Sequence, residues 1–441
     1  MEHPNIKMNK RRKTVSSTQR TPSRSTPDYT RNARYPTTTG KSSKASLGLV
    51  GTGGVAVEEP HIKMRERPPR WTPRAKFDIP FAAIVIALLV VGLAMMFSSS
   101  YEFGRNEQGN PYFYIERQLT YVAIGIVLML VFSYIDYHIL QKKGVLVVGC
   151  SVAIALMLAV KLWGTSQGGA ERWLQIGTVT FQPSEMLKVA VIVVFAYFGE
   201  KFYKNRAKFK HGFLPFVIFL AVSCGLTIIQ PHLSGTIIIF LIGITMMYVS
   251  GCRKRYLFVF LGAFVFCAII GVLLLQAAGY TYFETRFLSW QDPEYDIRGE
   301  TYQTYQSLIA MGSGGWFGLG IGDSRQKYSY LPAGHNDFIF SITTEELGFI
   351  GAFIIILLFI MLVFRGFYIA RRSRDKFGML LATGISAKIG IQALLNIGVA
   401  SNAIPNTGVS LPFFSYGGTA IIVQLIQIGI ILNISRKAAI E

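Results

Sequence analysis

Residues 79–99 read IPFAAIVIALLVVGLAMMFSS, a stretch without a single charge and with its one proline at the second position. A helix rises about 1.5 Å per residue, so about twenty such residues cross a hydrocarbon core of roughly 30 Å. Proline is tolerated in a first helical turn, where its missing N–H has no partner to lose. Working outward, similar apolar runs fall at 118–138, 144–162, 182–199, 213–229, 234–250, 256–277, 338–364, 379–400 and 415–434. Half of the 441 residues are hydrophobic, and they gather in these runs instead of dispersing as in a soluble chain. A β-barrel would show shorter alternating segments, and none is visible. The expectation is an all-α polytopic membrane protein with ten transmembrane helices.

The net charge of +20 is uneven. Residues 1–76 hold 17 Lys/Arg against 5 Asp/Glu and are rich in Ser, Thr, Pro and Gly. Such a composition predicts a disordered basic tail. No apolar core of a signal peptide precedes Ile79, so no cleavable leader is expected. The tail reads as a solvated cytoplasmic arm; nucleic acid or anionic lipid would be the other partners for such charge, and no nucleic-acid role is expected. With the N-terminus inside, the short loops 139–143, 200–212, 251–255 and 365–378 and the C-terminal end carry 17 basic residues, against 7 in the opposite loops. The bias toward one side predicts that both termini are cytoplasmic. Between the seventh and eighth spans lies a large extracellular loop, 278–337, whose stretch GETYQTYQSLIAMGSGGWFGLG predicts a helix lying at the interface. Cys150, Cys224, Cys252 and Cys267 lie in or beside apolar runs with no CxxC pair, and read as small apolar filler.

Ionisable groups within a bilayer are costly, so they draw attention first. Glu185 and Lys188 in QPSEMLKVA stand at i, i+3 on one helix face. They are either a structural ion pair or part of a substrate site. Just before them, Arg172 and Trp173 in GGAERWLQIG suit a phosphate and an interfacial face, or an ordinary aromatic belt. In LPAGHNDFIFSITTEELG, Asp337 stands where the long loop enters a span, and Asp337, Ser341, Thr344, Glu345 and Gly348 share one face. Such a polar stripe should face the bundle interior or a water-filled cavity. Asp337 is either a general base or a helix N-cap. His335 is a second base or an interfacial hydrogen-bonder. Lys388, midway along a span, is expected to pair with Glu345 or Glu346. The segment SNAIPNTGVSLPFFSYGGTA breaks helix with Pro405, Gly408, Pro412 and the Gly417–Gly418 pair, and is expected to line the same outer cavity. No Walker loop, GxGxxG or HExxH occurs. An outward cavity carrying a carboxylate, an Arg and a Lys suits an anionic, lipid-linked substrate. Residues alone do not separate a transferase from a transporter.

The motifs GGAERWLQIG…FQPSEMLK, QPHLSGT, YQTYQSLIAMGSGGWFGLGIG, QKYSYLPAGHNDFIFSITTEELGFIG and IPNTGVSLPFFSYGGTA are collinear. Over roughly 79–436 the chain resembles the SEDS family (shape, elongation, division and sporulation; the FtsW, RodA and SpoVE proteins), nearest the division-type FtsW branch. The resemblance implies a peptidoglycan glycosyltransferase that polymerises lipid II at the outer face of the bacterial cytoplasmic membrane, at the division septum. It implies Asp337 as the base that activates the acceptor sugar hydroxyl. It matches Arg172 and Trp173 with the family's RW pair and Glu185 and Lys188 with its PSE-x-x-K segment; these four, with His335 and Ser415, are the expected substrate contacts. No tightly bound cofactor and no protein metal site are expected, with Mg²⁺ or Mn²⁺ accompanying the substrate pyrophosphate. The partners implied are a class B penicillin-binding transpeptidase and other divisome proteins. A lipid II flippase and a non-catalytic divisome scaffold are the alternatives. Three departures stand out: Asn336 replaces the Thr of an HTDF motif, Ala333 replaces an acid, and His232 replaces the acid of a QPDLG-type segment.

Overall fold

The computed structural model describes residues 77–438 except 168–169, 177–178, 231, 278–281, 300, 329 and 333. The basic tail lies outside the described residues. Twelve α-helices are described: α1 Ile79–Gln108, α2 Phe113–Tyr134, α3 Lys143–Trp163, α4 Pro183–Lys201, α5 Leu214–Ile229, α6 Leu233–Val249, α7 Lys254–Ala277, α8 Tyr282–Gln291, α9 Tyr302–Ser313, α10 Ile339–Arg371, α11 Lys376–Ala400 and α12 Gly418–Lys437. Eight helical spans are long and apolar enough to cross a membrane; α6 is apolar but shorter, and α4 carries Glu185 and Lys188. Each of the ten apolar runs read from the sequence falls on a helix, and the helix expected within 299–320 is α9; α8, earlier in the same loop, was not expected.

The fold is mostly helical, with one short stretch of sheet that the sequence reading did not expect. Between α3 and α4 the chain makes an antiparallel meander of β1 Thr165–Gln167, β2 Ala170–Ile176 and β3 Val179–Phe181. The β-branched Val179 and Thr180 suit a short strand. The meander is tied to α12 where the Gln182 N–H donates to Thr419 Oγ1 at 3.1 Å.

Burial sorts the helices. In their most apolar windows α12 is 83% buried and α11 72%, against 6% for α7. So α11 and α12 are packed inside protein, and α7 presents its Phe and Leu side chains outward, as a lipid-facing helix does. At the end of the bundle holding 136 and 375, side chains fasten the helix ends. Asp78 caps α1 through the Phe81 N–H (3.0 Å) and takes Arg365 of α10 at 2.9 Å. Lys437 of α12 reaches Asp136 at 2.6 Å.

α10 is interrupted. Gly348 has φ 69° and ψ −175°, a conformation open to glycine, and it separates the 349 and 350 amides from the 345 and 346 carbonyls they would normally meet. The loop after α9 fills the gap on both sides. Leu319 and Gly320 N–H groups donate to the Glu345 and Glu346 carbonyls (3.0 and 3.1 Å). Phe349 and Ile350 N–H groups donate to Gly315 and Trp316 carbonyls (2.9 and 3.2 Å). Both severed bonds are thereby replaced, as backbone deep in a membrane requires.

Candidate active site

Asp337 stands one residue before the N-cap of α10, which is Phe338, and that cap makes no side-chain hydrogen bond. Three consecutive carbonyls hold the loop in place. His335 O accepts from the Tyr416 N–H (3.1 Å), Asn336 O from Ser415 Oγ (2.6 Å) and Asp337 O from Asn396 Nδ2 (2.7 Å). Ser415 Oγ in turn accepts the Leu411 N–H at 2.7 Å. The donors come from α11 and from the irregular segment 401–417, whose broken backbone leaves these groups free to turn toward the loop. Gly408, at φ 66°, lies against the carboxylate: a Cβ there would stand 3.1 Å from Asp337 Oδ2. The carboxylate is half-buried.

His335 points the other way. Its ring is 4% exposed and packs 4.5 Å from Phe103 and 4.9 Å from Tyr114, centroid to centroid. Burial pushes its pKa down to about 4, so the imidazole is neutral at pH 7. The ring sits inside an aromatic cage, where its packing orders the loop.

Under the 410–416 segment lies a charged cluster. Glu185 Oε1 takes Lys188 Nζ at 2.5 Å, and Glu185 Oε2 takes Lys388 Nζ at 3.7 Å. Lys388 also donates to Gln424 Oε1 (2.7 Å) and Gln427 Oε1 (3.3 Å) of α12. The shared helix face of Glu185 and Lys188 is as the spacing predicts. The expected pairing of Lys388 with Glu345 or Glu346 is corrected: its acid is Glu185, because α11 packs on α4 at that level. Glu345 instead accepts from Ser324 Oγ (2.5 Å) and the Arg325 N–H (3.1 Å), and Glu346 from Ser98 Oγ (2.5 Å). Ser341, Thr344 and Glu345 are buried among protein partners, so the stripe faces the bundle interior and not open water. A small cavity of about 20 Å³ touches Glu185, Lys388 and Gln392 from below and Ser415 and Tyr416 from above. One segment thus roofs the charged cluster and braces the Asp337 loop.

Beside it a larger cavity of about 670 Å³ runs between α6, α7, α8 and α11 and the 404–407 stretch. Its walls are mostly apolar (Leu233, Val272, Phe287, Leu395), with Arg286 and Asn406 among the polar exceptions. It ends at Thr407, next to the Gly408 that abuts Asp337. An amphiphile with a long hydrocarbon tail and an anionic head suits such walls. Arg172 lies in β2, but its side chain falls outside the described residues. Trp173, paired with Thr165 across the meander, is half-buried. Among the described residues no group of three or more His, Cys, Asp or Glu side chains could hold a metal ion.

A family model described as "Cell cycle protein", covering FtsW, RodA and SpoVE, matches residues 80–440. The chain belongs to the FtsW/RodA/SpoVE family. The match spans every candidate residue named above and leaves out only residues 1–79 and the last residue. Among relatives in this family, the stage V sporulation protein E of Bacillus subtilis is 38% identical over 372 residues, covering 83% of this chain and 98% of its own. A probable peptidoglycan glycosyltransferase FtsW of Geobacter sulfurreducens is 34% identical over 363 residues, covering 82% and 96%. A solved chain from a study of how a peptidoglycan synthase complex coordinates polymerization and crosslinking matches with a TM-score of 0.67 at 23% identity, covering 83% of this chain and all of that one. That likeness speaks to the fold.

Four residues of this family member escape a reading of the sequence. Asn396, Gln392, Gln424 and Gln427 are all at most 4% exposed and all touch the site or its floor. Uncharged amides inside apolar runs give little signal; their spacing does, since Gln424 and Gln427 at i, i+3 and Gln392 and Asn396 at i, i+4 each mark one helix face.

Proposed function

We propose that the protein is a peptidoglycan glycosyltransferase that polymerises lipid II into glycan strands at the outer face of the bacterial cytoplasmic membrane. The observation that carries this reading is a half-buried carboxylate, on a loop whose backbone carbonyls are braced by backbone and side-chain donors, close to the Thr407 end of an apolar cavity. Asp337 takes the proton of the acceptor sugar hydroxyl as that oxygen attacks the anomeric carbon of the donor. The bond to the diphosphate breaks, the lipid diphosphate departs with the electron pair, and configuration inverts. A base so placed contributes about 10² to 10⁴ in rate. Arg172 and Trp173, carried by the meander, meet the anionic end of the substrate, and the buried Glu185–Lys188 pair assembles the floor of the site. Ser415 already donates its hydrogen to Asn336 O, so its part is to brace the loop. Any Mg²⁺ or Mn²⁺ travels with the substrate diphosphate, as small hard cations usually do.

The ten helical runs cross the membrane ten times, with both termini cytoplasmic and 278–337 outside; the Lys/Arg asymmetry supports this orientation. The partner is a class B penicillin-binding transpeptidase, which cross-links the strand, within the divisome at the septum. The names of the relatives and the synthase complex sharing the fold support that assignment. The decisive experiment incubates the purified protein with lipid II, with and without its cognate transpeptidase. Polymer should form, and Asp337→Ala should abolish it while expression and partner binding persist. Lipid II crossing proteoliposomes without polymer would make the protein a flippase. Cells dividing normally with Asp337→Ala would make it a scaffold.

A further inference from the structure

We infer that Asn396 is the positioning residue that sets the Asp337 carboxylate at the groove, by holding the loop before α10 and the 408–409 turn at a fixed separation; this rests on the reading of Asp337 as the base. Asn396 sits one turn before the end of α11 and is fully buried. Its side-chain amide donates twice, to Asp337 O at 2.7 Å and to Val409 O at 2.6 Å. Those two carbonyls belong to opposite walls of the site. Asp337 leads into α10, and Val409 follows the glycine that abuts Asp337 Oδ2. Two acceptors facing one group also fix the amide orientation, because the flipped form would set an oxygen against two oxygens. Asn396 Oδ1 then takes no hydrogen bond among the described residues. A buried acceptor left alone is unfavourable, so the side chain is used here for its two donors and not for its oxygen.

The neighbouring braces act elsewhere. Ser415 and Tyr416 hold the carbonyls of 336 and 335, and Ser307 joins Ser341 to Ala400 a turn further along (2.6 and 2.7 Å). Among these contacts only Asn396 touches the reacting residue itself. Catalysis by a fixed base is sensitive to placement, and a shift of about 1 Å can cost about a hundredfold. Asn396 lines neither of the two cavities described above, so substrate affinity should be indifferent to it.

The test uses full-length protein in nanodiscs with lipid II, giving initial rates over a range of substrate concentration and pH. Asn396→Asp keeps the shape and turns one double donor into an acceptor. Asn396→Ser keeps one donor and covers the case in which the acid prevents folding. Both should lower kcat about a hundredfold with KM within about threefold of the parent. The acid limb of the pH–rate profile should shift, since it reports the base whose surroundings have changed. Asn396→Gln, which restores the double donor on a longer arm, should recover at least about tenfold over Asn396→Ser. A folded Asn396→Ser with parental kcat overturns the inference, as does a parallel fall in kcat and thermal midpoint with an unmoved pH profile. Asp337→Ala is measured beside them. If it is inactive while Asn396→Ser matches the parent, positioning fails and the base survives. If it polymerises like the parent, the base reading fails, and positioning of that base with it.

Discussion

At the scale of single residues, His335 and Asp337 stand two positions apart with opposite fates. The imidazole is sealed among Phe103, Tyr114 and Tyr416 and held neutral, with its pKa at about 4 against an ordinary 6.5. The unfolded chain therefore takes up this proton first. The folded state loses stability as pH falls from about 6.5 toward 4, by on the order of 3 kcal/mol at the end of that range. Thermal midpoints in detergent should be flat above pH 7 for this residue, and His335→Phe should remove its share of the acid loss. The Glu185 cluster gives a second expectation. Glu185→Gln strands two buried ammonium groups, and breaking such a pair costs about 3–5 kcal/mol. Lys388→Met leaves Glu185 with its 2.5 Å contact to Lys188 and should cost visibly less; the ranking of the two midpoints checks the arrangement. Asp337, Glu185 and Lys188 were legible because charge inside an apolar run is conspicuous and i, i+3 spacing is local. The partner of Lys388 was not, since which helix meets it depends on interhelical register, which no local spacing encodes.

Among the elements, α10 shows what local pattern conveys and what it omits. The apolar run from 338 onward announces a helix, and TTEELG places polar groups on one face. Nothing in that pattern reveals that Gly348 breaks the rod and that GSGGWFG, over thirty residues earlier, completes it. The meander was missed for a related reason: strands of three to seven residues are too short for period-two alternation to stand out beside the glycines. The break has a direct test. At Gly348 an added Cβ would lie 2.3 Å from the Gly318 backbone nitrogen, in a left-handed conformation. Gly348→Ala should cost about 2 kcal/mol or more, seen as lost yield and a lower thermal midpoint. Gly262→Ala on α7, where nothing lies within 4 Å, should shift stability by no more than about 0.5 kcal/mol.

For the whole molecule, the proposed orientation divides the loops into two sets that chemistry can separate. With the four natural cysteines replaced, a membrane-impermeant thiol reagent should label Asp323→Cys in intact spheroplasts. Lys208→Cys should react only after permeabilisation. Labelling of both, or the reverse pattern, would invert the groove and remove its access to an external substrate. The completed α10 also bears on how the chain is made. Translation runs from the amino end, so 315–320 leaves the ribosome before 349 and 350 do. The later half of the helix thus enters the bilayer facing a template already waiting for its bare amides. Biogenesis here depends on order: a permuted gene that delivered the lower half-helix first would ask the insertion machinery to release unpaired peptide groups into lipid.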